Sequence, residues 1–201
     1  MDEFAHYKLK IDAKPSMFHG KTVRENLTDT LWRKKIRAAI LETKKHRCAI
    51  CNYTPHINDL RRLHVHEIEE YDFDNGVVKL LDLDLICIDC HSFHHFKRSQ
   101  LVLTDNQLAN LAKHFCNVNN CTMEDYEQYR QILKEKRFKE IQEEIKRELQ
   151  LKKPLGIKHN TDIKFAILGD IPYKDLVIER LKKKGVYYEY DNSQVKDKGL
   201  S

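Results

Sequence analysis

The sequence predicts an α+β fold: a β-hairpin held between two cysteine knuckles, a helix directly after it, helical flanks, and a small C-terminal β-α-β-like appendage. Three observations carry this expectation. Two Cys-x2-Cys pairs, Cys48/Cys51 and Cys87/Cys90, bracket the segment 52–86. Inside that segment "LRRLHVHEI" alternates like a strand, "DFDNG" signals a turn, and "VVKLLDLDLIC" supplies a second strand. Beyond residue 100, apolar residues recur at helical spacing.

Taken in order, residues 1–20 show a weak strand-like alternation in "YKLKI", then a loop around Pro15 and Gly20. From Leu27 to Lys45 the residues Leu31, Trp32, Ile36, Ala39 and Ile40 fall at helical spacing, with Thr28 or Asp29 available as N-cap. The first knuckle and a loop through Pro55 and Asn58 lead to the hairpin, and "CHSFHHFKR" opens a helix immediately after it. "DNQLANLAKHF" predicts a short helix. Thr122, with Asp125 three positions on, opens a longer one whose apolar face is Tyr126, Tyr129, Leu133, Phe138, Ile141, Ile145 and Leu149. Its opposite face mixes eight acidic and seven basic residues between Glu124 and Glu148, and so calls for no ligand. Lys152 to Asn160, with Pro154 and Gly156, is a linker pattern. "IKFAIL", "YKDLVIERLKKKG" and "VYYEY" then predict strand, helix, strand.

With 201 residues the chain can form one core-bearing domain and a smaller appendage. No apolar run approaches the ~20 residues of a membrane span, and "MDEFAHYKLK" lacks the basic and apolar regions of a secretory signal. A cytoplasmic (intracellular) protein without a membrane partner is therefore expected, and there Cys-x2-Cys pairs favour metal over disulfides. The net charge of +5 is unevenly spread: Lys21 to Arg47 holds nine basic residues against three acidic ones. Such a segment can neutralise phosphates, or simply solvate a helix face.

Cys48, Cys51 and His64 match the opening of a two-Cys, two-His finger, but residues 68–70 supply no second histidine. The pattern H-E-x-x-H fails as well, because Glu70 stands where its second histidine would be. What remains is Cys48, Cys51, Cys87 and Cys90 as a closed tetrahedral site for structural zinc (Zn). Cys116 and Cys121 have no comparable partners, and packing or exposure accounts for them. His91 and His95 lie four apart on the expected helix, and His66 on the first strand of the hairpin. Three histidines converging there would leave coordination positions open, as a catalytic metal requires.

With "CAIC", "LHVHE", "LDLDLIC", "CIDCH" and His95, the chain resembles the HNH endonuclease family, the ββα-metal nucleases, and in particular a stand-alone subgroup with His-Glu in place of His-His. The resemblance extends from about residue 15 to 135 and includes the lead-in "VRENLTDTLWRKKIRAAILETKKHRCAIC" and the turn "NVNNCT". It implies an N-terminal extension at 1–22, a ββα-metal core with its lead-in helix at 23–98, and a helical extension at 99–151. Residues 152–201, the linker and small C-terminal α/β appendage, fall outside it. It implies a metal-dependent endonuclease hydrolysing phosphodiester bonds of DNA, with RNA as the other substrate, and a second divalent ion (Mg, Mn, Ni or Zn) on His66, His91 and His95. Glu67 then takes the place of the general-base histidine and Asp82 that of the asparagine.

Both departures bear on catalysis. A carboxylate at 67 titrates well below a histidine and is a weaker base, unless it binds the metal or accepts a proton from metal-bound water. Asp82 cannot donate a side-chain hydrogen bond as an amide does, but can pair with a ligating histidine. His64, on the same strand face as His66, is a stand-in base or a buttress of the knuckle. The alternative function is a catalytically weak or inactive zinc module that binds nucleic acid, or a protein partner through the long helix and the appendage.

Overall fold

The computed structural model describes residues 3–12, 14–150 and 163–190. Among them the chain is mixed α+β, with one three-stranded sheet and helices before and after it. It divides into two compact units, Met1–Met17 with Cys87–His159 and Phe18–Ile86 with Asn160–Ser201.

In the second of these, strands β1 (Leu63–Asp72) and β2 (Val77–Cys87) form the expected hairpin. Its turn is closed by Asp72, whose carboxylate accepts hydrogen bonds from the Asn75 backbone at 3.1 Å and the Asn75 amide at 2.9 Å. Gly76 follows at φ +64°, a conformation that costs glycine little. The lead-in helix begins as wide π-type turns over Thr30–Ile36 and continues as α1 (Arg37–Thr43). Thr28 caps it as expected, its hydroxyl accepting the Leu31 N–H at 3.2 Å. Arg37 fastens this helix to the hairpin by donating to the Leu60 and Leu63 carbonyls.

The strand of the C-terminal appendage joins the sheet of the hairpin. Strand β3 (Lys164–Ile167) pairs in parallel with β2, from Val77 opposite Lys164 to Leu80 opposite Ile167, so the sheet order is β1-β2-β3. β2 is thus the central strand. That explains why Val77, Val78, Leu80, Leu83, Leu85 and Ile86 are all buried while β1 keeps half-exposed residues. Helix α6 (Lys174–Lys183) buries Val177 and Leu181, and the chain returns to pair Tyr187 with Phe165 through one bridge. The linker at 152–160 lies outside the described residues.

In the first unit, α2 (Ile88–His94), α3 (Phe96–Val102), α4 (Asp105–Asn119) and α5 (Met123–Gln150) follow one another. Thr104 with Gln107, and Thr122 with Asp125, cap α4 and α5 reciprocally. The core is aromatic: Phe4, Tyr7, Phe93, Phe115, Tyr126 and Tyr129 pack ring against ring. The "YKLKI" segment forms no strand. The Asn119 side-chain amide instead accepts from Leu9 N–H at 2.9 Å and donates to its carbonyl at 2.8 Å, satisfying that backbone as a neighbouring strand would. Among the described residues, the expected apolar face of α5 is buried at its start and exposed further on. Tyr126 and Tyr129 are covered, whereas Phe138 is 62% exposed.

Candidate metal centre

Each knuckle is a product of local backbone geometry. In the first, Asn52 N–H bonds to the Cys48 carbonyl at 3.0 Å, and Asn52 adopts φ +64°, which asparagine tolerates. Ala49 N–H donates to the Leu85 carbonyl at 2.8 Å and so ties this knuckle to the end of β2. In the second, Cys87 is both the last residue of β2 and the N-cap of α2, its sulfur accepting the Cys90 N–H at 3.4 Å.

The sulfurs of Cys48, Cys51, Cys87 and Cys90 all lie within 4.8 Å of one another. A tetrahedral zinc with bonds of about 2.3 Å sets its sulfurs about 3.8 Å apart, so a small contraction suffices. Cys48, Cys87 and Cys90 are buried and Cys51 is half-buried. The donor set and the burial both fit zinc: these four side chains can hold one ion. Among the described residues they are the one such group of three or more ligating side chains.

A residue that sequence reasoning missed stands beside them. His114, on α4, brings Nε2 to 3.2 Å from the Cys90 sulfur. The only sequence signal was a histidine on the covered half of an amphipathic helix, a pattern most often explained by packing.

The histidines and carboxylates of the expected catalytic set are placed as follows. His66 lies half-buried on β1, next to Glu67. Glu67 Oε1 accepts the backbone N–H of Arg24 at 2.8 Å, so this carboxylate holds the lead-in segment against the hairpin. Asp82 is exposed, and its Oδ1 accepts the N–H of Leu83 at 2.7 Å. His91 belongs to α2, but the helix expected to carry both histidines breaks at His95 (φ −124°, ψ 37°). The two rings still meet edge to face, 4.7 Å apart. Burial lowers the pKa of His64, and the charges of Arg37 and Arg24 lower it further, against a hydrogen bond to the Arg61 backbone. Burial likewise lowers that of His94, despite nearby Asp12.

Cys116 and Cys121 stand apart from the cluster. Burial, then the proximity of Cys121, pushes the Cys116 thiol up to about 11, which leaves it protonated and unreactive. Much of the basic segment is already engaged. Lys44 pairs with Asp84 at 3.1 Å, Arg37 serves backbone carbonyls, Arg24 lies over Trp32, and Lys35 over Tyr173.

No family model matches the chain, no curated protein matches its sequence, and no solved structure matches its fold. Among the described residues, no helix is long and apolar enough to cross a membrane.

Proposed function

We propose that the chain is a metal-dependent endonuclease of the HNH, ββα-metal type, stabilised by zinc on its four cysteines and hydrolysing phosphodiester bonds of DNA. What supports this is chain order: β1 with His66, a tight turn, β2, then α2 with His91 and with His95 at its end, without an intervening linker. A divalent ion held by His66, His91 and His95 would polarise the scissile phosphate and stabilise the leaving oxygen. Lys97 and Arg98 stand exposed on α3, where they can bind backbone phosphates. Supercoiled plasmid offered with magnesium, manganese, nickel or zinc tests the proposal. Nicking is expected, and is expected to vanish in His66→Ala and His95→Ala. No cleavage of any DNA or RNA with any of these ions would overturn it.

One observation favours a second reading, a zinc module that binds without cutting. The carboxylate in the base position is bonded to the Arg24 backbone, which is a structural task. Glu67→His separates the two: a strong gain in nicking marks an attenuated nuclease, and a loss marks Glu67 as a working group. Silence in both proteins, together with retained DNA binding, supports the module.

A further inference from the structure

We propose that His114 is an outer-shell donor to the zinc–thiolate centre, giving an Nε2–H hydrogen bond to Cys90 that slows metal loss. This rests on the zinc reading above. The distance, 3.2 Å, is that of a hydrogen bond to sulfur. His114 does not belong to the group whose ligand atoms lie within 4.8 Å of one another, so it approaches Cys90 from outside the four-sulfur set.

Chemistry fixes the direction of the bond. A zinc-bound thiolate carries no proton and can only accept, so Nε2 must carry the hydrogen. Zinc with four thiolates keeps an excess of negative charge, and Cys90 is fully buried, out of reach of water that would otherwise solvate it. Donors on sulfur are therefore needed from the protein. The backbone offers one, Cys90 N–H to the sulfur of Cys87. His114 offers another from a different element, α4, with the polarity a thiolate requires. The bond also links two separate helices, α2 and α4, across 24 positions of the chain. Cys90 sits in the first turn of α2, and α4 presents His114 one residue before the core residue Phe115. The packing that buries Phe115 thus also holds the imidazole in place.

The test compares the full-length wild type with His114→Phe, His114→Asn and His114→Gln. Three measurements are made on each: zinc content, the rate of zinc release to an excess of chromophoric chelator, and the thiolate-to-metal absorption of the cobalt-substituted protein. Loss of an outer-shell partner typically weakens metal binding about 10- to 100-fold. His114→Phe and His114→Asn are thus expected to release zinc at least about tenfold faster and to shift the cobalt band. His114→Gln, which keeps an N–H donor on a longer side chain, is expected to recover part of both. A merely space-filling histidine would be replaced by phenylalanine without moving the cobalt band. If His114→Phe is insoluble, His114→Asn carries the comparison. Zinc present in the wild type, with release and spectrum unchanged in both His114→Phe, which has no donor, and His114→Asn, whose amide is one methylene shorter than that of glutamine, overturns the role of His114 and leaves the zinc site standing. No zinc in the wild type overturns both.

Discussion

The four cysteines and the polar residues of the hairpin occupy motif positions of the same resemblance, yet the fold treats them differently. The cysteines converge, with every sulfur within 4.8 Å of the others. Glu67 and Asp82 instead bond to backbone N–H groups, of Arg24 and Leu83. The difference lies in how each arrangement is closed. A Cys-x2-Cys knuckle fixes two ligands within one turn, so a single tertiary distance, secured by the Ala49–Leu85 hydrogen bond, completes the set. A carboxylate on a strand has its task decided by whatever segment lies across from it. Residue type at a motif position therefore assigns a cysteine's role far more firmly than a glutamate's.

The largest effect should come from breaking the closed set. Cys90→Ala, or removal of zinc by a strong chelator, is expected to cost about 4 kcal/mol or more, the range reserved for loss of a structural metal. Urea unfolding of metal-loaded and chelated protein checks this. Coincident curves would mean that the sulfurs are held together by packing alone.

Next comes Gly169→Ala, at the far side of the sheet. A Cβ at 169 would fall on the Leu81 carbonyl, so β3 must move away from β2. A loss of about 3 kcal/mol is expected, the upper part of the range for overpacking. Zinc content should stay at the wild-type level, because the cysteines are ordered by their knuckles. If zinc is lost along with the strand, the cluster depends on the sheet more than its local geometry suggests.

Much of this was legible in the sequence, for identifiable reasons. Strand alternation, the "DFDNG" turn, the Thr28 and Thr122 caps and the cysteine knuckles are all local, and each appears where expected. What escaped depends on distant partners. The "YKLKI" alternation matches a strand, but its backbone partner is the amide of Asn119, 110 residues away from Leu9. β3 was legible as a strand, whereas its parallel pairing with β2 uses the edge of β2 that β1 leaves unpaired, and periodicity does not contain that. His114 was invisible for the same reason: only the fold sets α4 beside Cys90.

Glu67 tests the comparison from its other side. Glu67→Ala removes a half-buried charged acceptor from Arg24 N–H, with an expected cost of about 1 kcal/mol. Glu67→Gln keeps an acceptor and should fall within about 0.5 kcal/mol of wild type by urea unfolding. Plasmid nicking then divides the roles. A structural glutamate lets Glu67→Gln cut at the wild-type rate, whereas a base or metal ligand makes both variants slow.

The smallest expected effect lies at the hairpin turn, where a carboxylate is held by side chains from two segments. Burial alone would raise the pKa of Asp72. Hydrogen bonds from Asn75 and Tyr190, with help from Lys79, instead bring it from 3.8 down to about 2. A carboxylate depressed in the folded state stabilises the fold fully above its unfolded value, and that contribution is lost as pH falls through the folded value. Tyr190→Phe removes the 2.6 Å bond from the Tyr190 hydroxyl to Asp72 Oδ2 and should return the pKa of Asp72 towards 3.8. Because the site is largely open to solvent, the expected loss is below about 1 kcal/mol. The gap between wild type and Tyr190→Phe should be constant above about pH 5 and shrink between about pH 4 and pH 2, as Asp72 protonates in both proteins. Urea midpoints measured across that range read it directly. A gap unchanged at pH 2 would show that the bond does not depend on the charge of Asp72, and that the turn is held by the packing of Tyr190 against Lys79 and Tyr188.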